Sequence, residues 1–335
     1  MITTVSAPGK LMLLGEHAVV YDRPCLVTSV DQRLYLQVEY LEGSDLEIEA
    51  PDVNVVGYKK PIKQIGTGNI PKGAQFIEYA VRSFSAEYPI SSGIRIKTKS
   101  DFSASFGFGS SSATAVCTVK ALSELLTLGL EKKDIFKIAY KTVLDAQQGK
   151  GSGFDIASAI YGGTLYYLTG GKEIEPLDLA EIPMIIGYTG IKADTTTIIE
   201  EVAERAKIHG NVIDFIYSGC EVLVKEAKEC LKKGEWKSLG ELMNFNQGYL
   251  EALGVGTKQL SAMIYAAREA GAYGAKLSGA GGGDCMIAIA DEKENQKIFD
   301  AITQASGKDK DGRVMGEIQN VRTGVEGVRV EEKRL

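Results

Sequence analysis

The pattern of hydrophobic and polar positions predicts sheet structure at the start of the chain. Short apolar or alternating runs, separated by turn residues, occur at 2–6, 11–14, 25–30, 34–38 and 46–48. This pattern is typical of a largely antiparallel sheet. The segment that follows, residues 51–73, contains three prolines and several glycines and has no clear period. We therefore expect it to be an exposed loop.

Later segments show helical spacing of apolar residues, interrupted by short strands. Helices are predicted at 75–87, 132–148, 195–209, 212–232, 236–253 and 258–270. Strands are predicted at 94–98, 163–168, 184–188, 285–290 and 328–330. Because the pattern resets near Gly170 and Gly171, we predict two domains, 1–170 and 171–335, and an α+β fold.

Composition narrows the class of protein. The chain has 335 residues, of which 44% are hydrophobic, and a net charge of -6. No basic stripe is available for nucleic acid, no apolar run approaches the roughly 20 residues of a membrane span, and the N-terminus does not resemble a signal peptide. The five cysteines are odd in number and widely spaced, which is typical of free thiols in a reducing compartment. The sequence therefore predicts a cytoplasmic protein.

One stretch combines a glycine- and serine-rich loop with the start of a helix. Residues 107–112 (GFGSSS) run into a helical pattern with apolar residues at Val116, Val119, Leu122 and Leu125. Glycine allows close backbone approach, and the first amides of a helix attract anions. Serine hydroxyls add donors and can ligate a magnesium ion that accompanies a nucleotide. This predicts a phosphate cradle; the competing interpretation is a linker ahead of an ordinary core helix.

Two further glycine-rich segments and a carboxylate complete the chemistry that phosphoryl transfer needs. Lys10 follows Gly9 and offers a compact positive charge, and residues 278–284 form a third loop. Asp155 stands at a loop-to-helix junction, where it could act as a base or could simply cap the helix. Lys10 could stabilise developing charge or be a solvated turn residue.

These segments resemble the three signatures of the GHMP small-molecule kinases. The matching stretches are APGK at 7–10 with GEH at 15–17, GFGSS at 107–111, and KLSGAGGG at 276–283. They occur in the order and at the distances found in that superfamily. The resemblance implies a GHMP kinase fold, with an N-terminal domain like ribosomal protein S5 domain 2 and a ferredoxin-like C-terminal domain. It also implies ATP as co-substrate, Mg²⁺, and a small-molecule acceptor in the cleft between the domains.

The resemblance further implies roles for individual residues. Asp155 and Lys10 are expected to be catalytic, and Ser111 to ligate Mg²⁺. Substrate contacts are expected from Glu16, His17, and Thr195 or Thr197, although Glu16 could only pair with a cation and His17 could be structural. The expected ATP-binding residues are Gly107, Phe108, Gly109, Ser110, Ser111, Ser112, Gly279, Ala280, Gly281 and Gly282.

Within the superfamily, the residues give two in-class alternatives. GEHAVVY at 15–21, NFNQ at 244–247 and TGIKADT at 189–195 are similar to mevalonate kinases, which implies phosphorylation of the C5 hydroxyl of mevalonate. GSGFDIA at 151–157 and Asp284, where mevalonate kinases usually have glycine, are closer to phosphomevalonate kinases.

Two positions depart from the family pattern. Residues 103–107 (SASFG) replace the usual opening of the cradle, and Leu144, with Asp145 beside it, stands where animal-type enzymes carry a magnesium-binding glutamate. The carboxylate ligand of Mg²⁺ is therefore left unassigned. A catalytically silent protein of this fold is a lower-ranked alternative, and a homodimer is left open.

Overall fold

A computed structural model describes residues 2–102, 106–307 and 315–334. The described strands are β1 (Ile2–Leu14), β2 (Cys25–Leu41), β3 (Asp45–Ala50), β4 (Val55–Pro61), β5 (Gly93–Ser100), β6 (Thr164–Leu168), β7 (Glu173–Leu177), β8 (Met184–Tyr188), β9 (Gly274–Ser278), β10 (Cys285–Ile289), β11 (Glu317–Asn320) and β12 (Arg329–Arg334). The described helices are α1 (Gln75–Glu87), α2 (Ser110–Leu125), α3 (Lys132–Ala146), α4 (Phe154–Tyr161), α5 (Thr195–Ile208), α6 (Gly210–Lys233), α7 (Trp236–Ala252), α8 (Lys258–Glu269) and α9 (Asn295–Ala305).

Two sheets organise these elements. The first has the order β12-β1-β2-β5-β3-β4, with β6 pairing to β2 and β7 to β6. Its pairings are antiparallel except for that between β3 and β5, as the alternating runs predicted. The second sheet has the order β11-β8-β10-β9 and is antiparallel. The mixed α+β prediction is confirmed. The division at residue 170 stays a prediction; β7 and β12, which follow it, pair within the first sheet.

Strand β1 is continuous through the segment that the sequence suggested as a turn. Its pairing with β12 ends at Ser6, and a bulge separates Pro8 from Gly9 in its pairing with β2. Proline is tolerated in strands at such edges and bulges because it has no N–H to donate. The exposed edge is then used by the cradle, since the Lys10 amide donates to the Phe108 carbonyl at 3.0 Å.

The expected loop at 51–73 is wrong over much of its length. Strand β4 occupies Val55–Pro61 and pairs antiparallel with β3. This hairpin was hidden because alternate β4 residues face solvent and two lysines interrupt its apolar pattern. Pairing of β4 with the neighbouring strand β3 decides the structure here, and the apolar pattern of the segment alone does not reveal it.

Helix α2 packs against β1 and β2 of the first sheet, and its predicted apolar stripe is confirmed. Val116, Val119, Leu122 and Leu125 are at most 2% exposed. Their burial fixes the axis of α2, and therefore fixes where its N-terminal turn points. The cradle thus stands on a rigid element. Residues 103–105 of the predicted SASFG opening lie outside the described residues.

Candidate active site

The three glycine-rich segments meet around one cleft of about 550 Å³. Lys10 of β1 lies on one wall, followed by Glu16 and His17 from the turn after β1. Other lining residues come from the cradle, from Asp155 of α4, from the start of α5 and from the third loop, and include Gly107, Gly109, Ser110, Ser111, Ser112, Thr195, Gly279, Ala280 and Asp284. Segments distant in sequence therefore share one solvent-accessible volume, which is the arrangement expected of a ligand site.

Lys10 and Asp155 form an ion pair at the base of this cleft. Lys10 Nζ lies 3.1 Å from Asp155 Oδ1 and donates to the Gly107 carbonyl at 3.0 Å. The Lys10 residue is only 8% exposed, so the interpretation as a solvated turn lysine is wrong. Its ammonium group also lies 5.4 Å from the ring centroid of Phe154. One charge is thereby fixed between the carboxylate and the cradle.

Asp155 does not cap its helix. The N-cap of α4 is Gly153, at φ 89°, and no side chain makes a cap hydrogen bond there. Asp155 lies in the first helical turn, with its carboxylate facing the cleft and 30% of its side chain exposed. The capping alternative is therefore rejected, and the carboxylate remains available to a ligand.

The cradle presents the N-terminus of α2 to the cleft. Gly109 is its N-cap, at φ 79°, and no side chain caps the first amides. An added Cβ at Gly109 would lie 3.0 Å from Lys10 Cε, so glycine is required by conformation and by space. The uncapped amides, Ser110, Ser111 and the nearby ammonium of Lys10 together make a site for an anion. Phe108 differs: its side chain packs against Phe102 and Phe106 in the core, and it is not among the described lining residues of the cleft.

Glu16 makes a buried ion pair with Lys276 of β9. The two side chains are 1% and 0% exposed, and Lys276 also donates to the Leu277 carbonyl. Burial raises the pKa of Glu16 and lowers that of Lys276, while their mutual attraction opposes both changes. Glu16 therefore pairs with a cation, and because it also lines the cleft its expected substrate contact stays a prediction. This pair joins the first signature to the third across the two sheets.

His17 follows Glu16 directly and has a positive φ of 61°, with ψ at -49°. Its Nε2 is 2.9 Å from the Ala280 carbonyl, so Nε2 carries the proton and donates. Burial, together with the positive charge of Arg205, lowers the pKa of His17, although the Ala280 carbonyl opposes this change. The ring is therefore neutral at pH 7, and its Nδ1 is a hydrogen-bond acceptor.

Helix α5 begins at the rim of the cleft. Asp194 is its N-cap and accepts from the amides of Thr196 and Thr197. Thr195 and Thr196 line the cleft, whereas Thr197 is not among its described lining residues. Of the two threonines that the sequence offered, the geometry favours Thr195. Thr196 was missed because three successive threonines carry no signal that distinguishes them.

In the third loop, Gly279 and Ala280 line the cleft, while Gly281 and Gly282 serve packing. The Gly282 amide donates to the Val255 carbonyl at 2.8 Å, and an added Cβ at Gly281 would lie 2.3 Å from that oxygen. Their φ values of 85° and 72° also favour glycine. The sequence could not separate glycines that face a ligand from those that permit close approach of two backbones.

A further wall of the cleft comes from the segment that was expected to be a loop. Asp52, Asn54 and Lys72 of that segment line the cleft, as does Phe76 of α1. Sequence analysis assigned none of them. Lys276 belongs to the third signature, but sequence analysis gave it no role. A lysine inside the short apolar strand GAKLS requires a buried partner, and this signal could have identified it.

The donor set fits Mg²⁺ brought by a nucleotide, not a metal held by protein alone. Among the described residues, no group of three His, Cys, Asp or Glu side chains could hold a metal ion. Ser111 and Asp155 offer a hydroxyl and a carboxylate to the same cleft. Mg²⁺ commonly combines one or two such ligands with phosphate oxygens. Asp145 instead pairs with Arg82 at 2.7 Å on the surface.

The sequence relatives of this chain include mevalonate kinases. Residues 75–163 match the GHMP kinases N terminal domain, and residues 227–309 match the GHMP kinases C terminal domain. The mevalonate kinase of Pyrococcus abyssi is 36% identical over 344 aligned residues, covering 99% of each chain.

Solved structures with the same fold include two activities. The mevalonate kinase of L. major in complex with R-mevalonate is 23% identical and has a TM-score of 0.76; the match covers 96% of this chain and 95% of that one. Phosphomevalonate kinase of Streptococcus pneumoniae, in complex with phosphomevalonate and AMPPNP, is 19% identical with a TM-score of 0.77, covering 95% and 99%. The two TM-scores are nearly equal, so backbone similarity alone does not separate the two acceptors.

Proposed function

This chain belongs to the mevalonate kinase family of GHMP kinases, and we propose that it transfers the γ-phosphoryl group of ATP to the C5 hydroxyl of mevalonate. The products are 5-phosphomevalonate and ADP. The observation that carries the proposal is the Lys10–Asp155 pair, 3.1 Å apart, beside the uncapped N-terminus of α2. It supplies a base and a cation at one end of an anion site.

In the proposed mechanism, the C5 oxygen attacks the γ-phosphorus while the bond from that phosphorus to the ADP oxygen breaks. Asp155 accepts the hydroxyl proton, and Lys10 stabilises the negative charge that develops on the attacking oxygen. The α2 amides, Ser110 and Ser111 bind the phosphates. His17 and Thr195 orient the acid, while Glu16 acts through its pair with Lys276.

Mg²⁺ would be held by the phosphates together with Ser111 and Asp155. When bound, it neutralises phosphate charge. The phosphates also explain why the protein needs few metal ligands of its own. ATP is the co-substrate of GHMP kinases.

Phosphomevalonate kinase is the alternative activity. Its acceptor carries a phosphate, so it would need an additional cationic pocket. Arg23 and Lys192 are the cations that the sequence offers for that pocket. Arg23 pairs with Asp214 and Glu221, and of these two candidates only Lys192 lines the described cleft. The proposal is tested by ADP release with mevalonate and 5-phosphomevalonate side by side. Turnover of 5-phosphomevalonate alone would favour phosphomevalonate kinase over the proposal. ATP binding without turnover of either acid would favour the catalytically silent protein.

The proposed location is the cytoplasm. All five cysteines are free and buried, which suits a reducing compartment. Within the described residues, no helix is long and apolar enough to cross a membrane. A homodimer stays a prediction.

A further inference from the structure

Asp284 follows the third glycine loop and is not used by the mechanism above. It is 8% exposed, lines the cleft, and adopts a left-handed conformation at φ 54°. Aspartate and asparagine tolerate this conformation better than most residues, although glycine tolerates it best. Because glycine would suit this backbone conformation better, we expect the buried carboxylate of Asp284 to have a function of its own.

That side chain and its own backbone fasten the segment before α5. Asp284 Oδ1 accepts from the Ala193 amide at 2.9 Å. The Asp284 amide donates to the Ile191 carbonyl at 2.8 Å, and the Asp284 carbonyl accepts from the Thr189 amide at 2.9 Å. The two backbone bonds would survive replacement of the side chain. The bond to Ala193 would not, and it is the one nearest the helix.

The same carboxyl group lies against the cradle. An added Cβ at Gly107 would be 3.1 Å from Asp284 Cγ and Oδ2. Gly107 is also the residue whose carbonyl accepts from Lys10 Nζ. Asp284 therefore contacts, at one point, the loop that holds the catalytic cation and the segment that leads into α5.

The fastened segment determines where the acceptor-side threonines lie. Ala193 is followed by the N-cap Asp194 and by Thr195 and Thr196, which line the cleft. With the Ala193 amide released, the start of α5 would shift relative to Lys10 and Asp155. Misplacement by a fraction of an ångström is enough to weaken recognition and alignment of a small acid.

We propose that Asp284 is a positioning residue that sets acceptor recognition by fixing the start of α5 against the cradle. It acts through its acceptor oxygen, by holding Ala193, and not as a base or by its charge. This inference deepens the proposed function and rests on the same cleft. It assigns Asp284 to the acceptor side, not to the nucleotide side.

The test compares D284G with D284N. D284G suits the backbone but removes the acceptor, whereas D284N keeps an acceptor oxygen and tolerates the left-handed conformation. T127G is the matched control, since Thr127 is exposed, has φ 56°, and lies at the far end of α2. KM for the acceptor, KM for ATP, kcat and hydrogen exchange of the Ala193 amide are measured on the full chain.

We expect D284G to raise the acceptor KM about tenfold, while the KM for ATP stays within about twofold, and D284N to recover most of the acceptor KM. The Ala193 amide should lose protection in D284G and keep it in D284N. An acceptor KM in D284G equal to that of wild type would overturn the proposal, as would loss in D284N equal to that in D284G. The exchange measurement needs no substrate, so it distinguishes failure of this inference from failure of the proposed mevalonate activity.

Discussion

Lys10 Nζ and Asp155 Oδ1 are 3.1 Å apart, and the same ammonium donates to Gly107 of the cradle. Lys10 comes from the first strand and Asp155 from the first turn of α4, so the fold, not sequence proximity, creates the pair. Its position beside the N-terminus of α2 connects proton transfer with phosphate binding. The consequences can be tested separately.

Removing the carboxylate charge should abolish most of the activity. We expect D155N to lower kcat by about 10²- to 10⁴-fold, since it removes a general base. K10M should have a comparable effect, and the double variant should cost little more than either alone because the two residues act as a unit. Steady-state kinetics check this. D145N is the control, since Asp145 pairs with Arg82 on the surface; a D155N enzyme as active as D145N would contradict the assignment.

Substitution of Gly109 should lower activity because of the space near Lys10, and not only because of the backbone conformation. In G109A, the new methyl group would meet Lys10 Cε at 3.0 Å, at a residue with φ 79°. G129A is matched, because Gly129 has φ 63° and open space around it. Both variants should lose about 1 kcal/mol or more of stability from backbone strain, but only G109A should also lose kcat. If the two variants had equal kcat, the position of Lys10 would not depend on the space that Gly109 leaves for it.

The buried Glu16–Lys276 pair should be costly to break and cheaper to remove whole. K276M leaves a buried carboxylate without its cation, and we expect a loss of about 3–5 kcal/mol in the free energy of unfolding. The double variant E16Q/K276M should recover much of this loss. Denaturant titration measures both. K172M, which breaks the exposed pair with Asp22, should change the unfolding free energy by less than about 0.5 kcal/mol. If K276M were equally mild, the pair would not join the two sheets energetically.

His17 should make the free energy of unfolding depend on pH. Burial lowers its folded-state pKa below the value of 6.5, so below that pH the unfolded chain takes up a proton that the folded chain resists. The free energy of unfolding should therefore fall as the pH decreases from about 6.5 toward the lower pKa that His17 has in the folded protein. H17N replaces the imidazole with a side chain that does not titrate, and it should reduce this slope when unfolding is measured between about pH 5 and 8, the range in which histidine titrates. H209N, at an exposed histidine, is the control; an unchanged slope in H17N would contradict the expectation.

Sequence reasoning found the segments that carry chemistry because each has a local signature. Glycine loops that precede helices, the position of Asp155, and the Asp194 cap are all visible in a few consecutive residues. Features that depend on pairing with a second segment were missed. Strand β4 exists because β3 covers one of its edges. The partner of Glu16 could not be read from either segment alone, since Lys276 reaches it only across the two sheets.

The direction in which a side chain points was equally beyond the sequence. Phe108 belongs to the cradle, yet its ring packs in the core. Gly281 and Gly282 belong to the third loop, yet they pack against Val255 and Ile198. A motif identifies a backbone path, and packing then decides which of its members face the ligand.

The position of the transferred phosphate tests the central claim most directly. The product of wild-type protein, ATP, Mg²⁺ and mevalonate can be examined by phosphorus NMR without proton decoupling. A phosphate on the C5 oxygen couples to the adjacent methylene protons and gives a triplet, and this signal should be lost in D155N. A singlet, which marks a phosphate on the tertiary hydroxyl, would contradict the account, as would product formation only from 5-phosphomevalonate.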